Sequence, residues 1–121
     1  MHHLFNVVTN KKDIPDAVLI RAVEPVSGID VMLKRTGKKV LDNTLTKGPG
    51  NAAKALGISK VHSGTNLLGK EIWIADDDFD LRDEGIGTSK RIGVESAGAA
   101  AHYLYRFFLR GSRFVSSYPN K

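Results

Sequence analysis

Four groups of residues in this 121-residue chain could do chemistry, and each must be set against the spacing its chemistry requires. Asp76, Asp77, Asp78 and Asp80 crowd into one segment and invite a calcium reading. An EF-hand loop starting at Asp76 would need a tightly turning glycine at its sixth position and a bidentate Glu at its twelfth. Leu81 and Gly87 stand there instead, so the segment reads as a solvated acidic loop. His2 and His3 are adjacent, so on a strand they point to opposite faces and cannot hold one metal ion together. Plain surface histidine or a residual tag competes with any functional reading of them. Gly48-Pro49-Gly50 has the form of a helix start. The free N–H groups of such a start face an anion, such as a DNA phosphate, with the positive end of the helix dipole. Ordinary capping explains the segment about as well. Lys47, Lys54 and Lys60 surround the same segment and suit a phosphate, although charge on an exposed helix face is commonly only solvated. Arg21 is embedded in the apolar run Ala17 to Val23, two residues before its end, and Glu24-Pro25 closes the run.

The elements that would position these groups follow from periodicity. Leu4 to Val8 and Ala17 to Val23 read as short buried strands with a turn of Asn10 to Pro15 between them. Ser27 with Asp30 has capping-box spacing, and Ile29, Met32 and Leu33 fall on one helical face that Gly37 ends. A second helix runs from Pro49 to Gly57 with Ala52, Ala53 and Leu56 on one face. Glu71 to Ala75 and Lys90 to Val94 read as further strands. Ala97 to Tyr105 is helix-prone, and Arg110-Gly111-Ser112 is a turn within Phe107 to Val115. Strands mixed with short helices, without regular alternation, predict an α+β fold built on a mostly antiparallel sheet.

Composition narrows the partners. The chain holds 18 Lys and Arg against 13 Asp and Glu. Six of the acids lie between Asp76 and Glu84 with Arg82 among them, leaving 17 basic and 7 acidic residues elsewhere. A surface of that kind attracts polyanions, because each cation that meets a phosphate releases a condensed counterion. The same charge also simply keeps a small protein dissolved. With no cysteine, neither a disulfide framework nor a thiolate metal site can form. No apolar run approaches the roughly 20 residues of a membrane span, and the start has no signal-like pattern. The expectation is a soluble, intracellular chain, a single domain over 1–121. Its apolar segment begins at Met1 with no turn or cap before it, which suggests truncation at the N-terminus.

Four stretches, in order, resemble the alkyladenine (3-methyladenine) DNA glycosylase family. They are His3-Leu-Phe-Asn-Val-Val8, then Val18-Leu-Ile-Arg-Ala-Val-Glu-Pro25, then Gly48-Pro-Gly50 with Ala55-Leu-Gly-Ile58, and last Arg91-Ile-Gly-Val94 with Arg106-Phe-Phe-Leu-Arg-Gly-Ser-Arg-Phe-Val-Ser116. The second is the most specific. The resemblance implies part of the methylpurine-DNA glycosylase fold, like the C-terminal domain of formyltransferases. It implies an enzyme of base-excision repair that flips an alkylated or deaminated purine, of the 3-methyladenine and hypoxanthine class, out of double-stranded DNA. The enzyme then hydrolyses the N-glycosidic bond without a metal or organic cofactor.

Residue by residue, the resemblance gives Asn6 a place in the base pocket, against the exocyclic amine of guanine. A strand-end Asn bonded to local backbone is the plainer alternative. Arg21 would help hold the attacking water and the sugar-phosphate, and should be buried and paired; the backbone carbonyl of Val94 would orient the same water. Lys60 matches a position with a cation near DNA, and Asn51 falls where many members carry Lys. The family's general-base Glu, its wedge Tyr and the aromatic residues that sandwich the base come from a region before Met1. Glu24 and Glu95 are poor substitutes, so this chain alone should be inactive or nearly so. The competing class is a non-catalytic nucleic-acid-binding module on the same fold, and a weaker one is a tRNA-binding appendage like that of formyltransferases. The resemblance implies the cytoplasm and nucleoid of a bacterium, or otherwise a nucleus, and leaves the oligomeric state open.

Overall fold

The computed structural model describes residues 3–11, 13–14, 16–76, 85–92, 98–99 and 103–115. The chain divides into two compact units, Met1–Ala75 with Phe114–Ser116, and Asp76–Arg113 with Ser117–Lys121. In the first, strands β1 (Asn6–Val8) and β2 (Ala17–Leu19) form an antiparallel hairpin, followed by helices α1 (Ile29–Thr36) and α2 (Pro49–Leu56) and a 3-10 turn, Lys60–His62. In the second, β3 (Ile86–Ser89) pairs antiparallel with β4 (Arg106–Leu109). Two α-helices together with two small antiparallel sheets make this an α+β chain, as the pattern predicted.

Both helices stop where their glycines require. Gly37 and Gly57 are left-handed, at φ 76° and 72°, conformations that cost an L side chain about 1–2 kcal/mol. Past α2, Ile58 N–H donates to Ala53 O at 2.9 Å and Gly57 N–H to Lys54 O at 3.1 Å. The Arg35 guanidinium of α1 adds a bond from Nη1 to Ala55 O at 3.0 Å, a cation on the negative end of α2. This ties the two helices where they pack. A Cβ at Gly57 would lie 2.7 Å from Arg35 Cζ. Gly57→Ala is therefore expected to destabilise the first unit by at least about 1–2 kcal/mol, through backbone strain and the displaced guanidinium. Urea unfolding with an unchanged midpoint would refute that account of the cap.

The interior of the first unit centres on Leu45, Ala52, Ala53 and Ala55, all fully buried, with buried Phe114. Small residues let α2 approach closely, which is why its alanine face goes inward. In the second unit, Gly87 is buried under its cross-strand partner Phe108, and buried Arg106 donates from Nη1 to Ser89 Oγ at 3.2 Å. The Arg106 guanidinium also stands 5.4 Å from the Phe108 ring centre.

Several local expectations are corrected. β1 is shorter than Leu4 to Val8 and is not buried, since Val8 is 65% exposed; a two-stranded ribbon gives its apolar residues little cover. β2 stops at Leu19, and beyond it only Ala22 makes a bridge. Gly28, left-handed and without a side-chain bond, precedes α1 in place of a Ser27–Asp30 capping box. Asp30 still sits in the positive first turn. Glu71 to Ala75 is not a strand, and Trp73 and Ile74 are exposed, because β-formers need a partner to pair with. The strand expected from Lys90 lies earlier, at Ile86–Ser89; Val94 lies outside the described residues, as does most of the helix expected over Ala97 to Tyr105. The turn at Arg110-Gly111 stands as expected, directly after β4.

Candidate functional site

The hairpin register brings two of the candidate residues to one face. Asn6 stands opposite Leu19, and Ile20 N–H donates to Phe5 O at 2.9 Å, which carries the ladder one step further. Alternation then puts Arg21 on the face of Asn6 and Leu19, diagonal to Asn6 and within reach of a long side chain. Asn6 is exposed. Arg21 is half-buried, and its Nε is buried without a hydrogen-bond partner among the described residues. The expected pairing is thus not found there. The reason is local: the register neighbours on that face are Leu4, Asn6 and Leu19, none of them a carboxylate, and Glu24 is exposed. A buried donor left in that condition costs about 1–3 kcal/mol until an acceptor reaches it.

The next residues join this strand to the start of α2. Ala22 forms an antiparallel bridge with Lys47, and the fully buried Thr46 donates its hydroxyl to Val23 O. Arg21 and Gly48 are the chain neighbours of that bridged pair, and Gly48 caps α2. Gly48 has φ 95° and ψ 149°, a combination suited to glycine alone. Pro49 occupies the first helical position, no acid lies in the first turn, and the N–H groups of Gly50 and Asn51 belong to the turn that has no intrahelical acceptors. Asn51 Nδ2 donates to Lys47 O at 3.1 Å and to Thr44 O at 3.3 Å, so its side chain fastens the loop to the helix. Lys47 is half-buried. The segment that follows Arg21 is therefore tied to Lys47 and the start of α2 by one backbone bridge, one side-chain-to-backbone bond and the Asn51 clamp.

Lys60 is exposed at the head of the 3-10 turn. Sequence reasoning missed what holds that turn, although Ser59 and His62 have capping spacing. Ser59 N–H donates to His62 Nδ1 at 3.0 Å, which assigns the proton of a neutral ring to Nε2, 3.4 Å from Glu71 Oε1. Both ring nitrogens are engaged, so His62 supports the turn and is not poised as a base. Thr46 was missed as well, since a lone threonine before a lysine carries no pattern. In the second unit, exposed Tyr103 and Tyr105 meet edge to face at 5.2 Å, and Arg91 lies 5.9 Å from the Tyr105 ring centre. Val94 and residues 77–84 of the acidic segment lie outside the described residues, as do His2 and Glu95. Among the described residues no three His, Asp or Glu side chains gather as metal ligands, and no helix is long and apolar enough to cross a membrane.

Residues 1–113 match the profile of the methylpurine-DNA glycosylase family. The chain belongs to that family. It is 41% identical over 123 residues to a relative from Alkaliphilus oremlandii (strain OhILAs) and, over the same number, to one from Clostridium novyi (strain NT). A relative from Bacillus licheniformis is 42% identical over 116 residues. The names of all three provisionally assign them as 3-methyladenine DNA glycosylases. The alignments cover 96% of this chain and 60% of the first two relatives, and 95% and 57% for the third. The chain thus spans about 60% of the length of the first two of these relatives. Both the hairpin bearing Asn6 and Arg21 and the α2 start bearing Lys47 fall within the family match.

Proposed function

We propose that this chain is part of a DNA-3-methyladenine glycosylase that flips a damaged purine nucleotide from duplex DNA and hydrolyses its N-glycosidic bond, hypoxanthine included among its bases. The observation that carries this reading is the junction of Arg21, the Ala22–Lys47 bridge and the start of α2. A guanidinium with an unpartnered buried donor adjoins the residue bridged to Lys47, and Lys47 directly precedes the cap of a helix start without acids. Such a place suits the sugar-phosphate of an extruded nucleotide: the helix-start N–H groups and Lys47 take a phosphate oxygen, and the Arg21 fork takes the attacking water and the sugar side. The orienting of that water by the carbonyl of Val94 rests on the family resemblance alone, since Val94 lies outside the described residues. As the bond to the base breaks, positive charge grows on the sugar, and water held in this way is already in line to attack.

Asn6 shares the face of Arg21 and supplies discrimination. Adenine-type lesions and hypoxanthine lack the 2-amino group of guanine, and a side-chain amide placed against that edge leaves guanine with a clash or an unpaired donor. The general base of this reading is not among the described residues; Glu24 is exposed beyond the Ala22 bridge and Glu71 faces His62. Damaged duplex DNA is the partner, and Lys60 adds a contact to its backbone.

DNA binding tests the phosphate part of this reading without requiring turnover. The affinity of the chain for a 20-base-pair duplex should fall steeply with salt. Lys47→Ala should weaken binding to all sequences alike and lower the slope of log affinity against log salt by about 1. Salt-independent binding, or an unchanged slope in the variant, would remove Lys47 from the interface.

A further inference from the structure

We propose that Thr46 is a positioning residue that sets Arg21 against the start of α2, an inference that rests on the role given to Arg21 above. Thr46 is fully buried, yet its side chain carries a hydroxyl where a valine would fill similar space with no polar group to satisfy. The hydroxyl donates to Val23 O, a partner 23 residues away in sequence. That bond lies immediately beside the Ala22–Lys47 bridge, so two successive pairs, Val23 with Thr46 and Ala22 with Lys47, lock the strand to the loop. From the other side, Asn51 Nδ2 fastens the carbonyls of Thr44 and Lys47 to α2. The loop that enters the helix is therefore pinned twice, and Thr46 is the pin on the Arg21 side.

The consequence falls on Arg21 in particular. No hydrogen bond or ion pair of its own head group fixes it among the described residues, and its Nε has no partner there. Its placement relative to Gly48 and the Gly50 N–H is inherited from the backbone two residues either side, where the Thr46 hydroxyl acts. Without that hydroxyl, Val23 O loses its donor and the loop can shift against the strand while Leu45 and the α2 alanines stay packed. A displacement of about 1 Å at a site of this kind is enough to weaken bonds that depend on direction.

The test measures binding of a duplex carrying one tetrahydrofuran abasic-site analogue, a stand-in for the extruded sugar-phosphate, to the chain and to Thr46→Val, Thr46→Ser, Arg21→Gln and the Thr46→Val/Arg21→Gln pair. Arg21→Gln should weaken binding about tenfold and Thr46→Val about fivefold, while the pair is no weaker than Arg21→Gln within about twofold. Thr46→Ser, which keeps the hydroxyl, should bind within about twofold of the unaltered chain. If the Thr46→Val and Arg21→Gln losses multiply, or if Thr46→Ser is as weak as Thr46→Val, Thr46 is only a packing residue and the inference falls. If Arg21→Gln binds normally, the role of Arg21 itself is wrong and the inference falls with it. Urea midpoints of the same variants separate a general loss of stability, which would weaken binding equally in both Arg21 backgrounds.

Discussion

Arg21→Gln is expected to slow base release by about 10²–10³-fold in a chimera that joins this chain to the part of the Alkaliphilus oremlandii relative it does not span. The magnitude is that of removing a preorganised donor from a site where charge develops. Glutamine keeps an amide and much of the length, so packing is largely retained while the fixed charge and the fork are lost. Lysine should not restore the rate, because a point charge on a flexible stem cannot hold water and phosphate in one plane. The loss should appear in the single-turnover rate more than in ground-state binding of an undamaged duplex, since Arg21 stands on the Asn6 face rather than among exposed lysines. A rate within twofold of the unaltered chimera, at saturating enzyme, would take Arg21 out of the chemistry.

The second large effect concerns these 121 residues by themselves. Positioned general bases contribute about 10²–10⁴-fold, so the chain alone should release a damaged purine more slowly than the chimera by at least that factor. Three of its described acids have other surroundings. Glu24 follows the bridge to Lys47 and is exposed, Asp42 is held in its ionised form by the Thr44 hydroxyl and backbone N–H, and Glu71 stands 3.4 Å from His62 Nε2. Binding should survive, because the α2 start and Lys47 do not depend on the base. A chain that cleaves as fast as the chimera would show that one of these carboxylates does activate water.

What was legible in the sequence was whatever a backbone requirement wrote into it. Gly37 and Gly57 mark helix ends because only glycine takes the left-handed conformation freely, and Gly48-Pro49 marks the start of α2 for a related reason. The α+β class followed from these and from the apolar runs. Strands were less legible, since Val, Ile and Trp say that a segment would pair but not with what. Glu71 to Ala75 has the composition and no partner, while three of the four residues of β3, Ile86–Ser89, are glycine, threonine and serine, and it pairs with β4 all the same. Asn6 and Arg21 could be singled out by type and by the resemblance of their surroundings to one family. That they share a hairpin face depends on register, which a composition does not fix. The Ala22–Lys47 bridge, the Thr46 hydroxyl and the His62–Glu71 contact join residues far apart in the chain or irregular in pattern, and such pairings have no sequence signature.

The central claim, that this chain carries the Arg21 side of a glycosylase site, is tested most directly by single-turnover release of hypoxanthine or 3-methyladenine from a labelled duplex, with the chain alone and with the chimera side by side. The account predicts release of the free base by the chimera, loss of that release on Arg21→Gln, and little or no release by the chain alone despite DNA binding. DNA binding by both forms with no base released by either would contradict it and leave a nucleic-acid-binding module in its place.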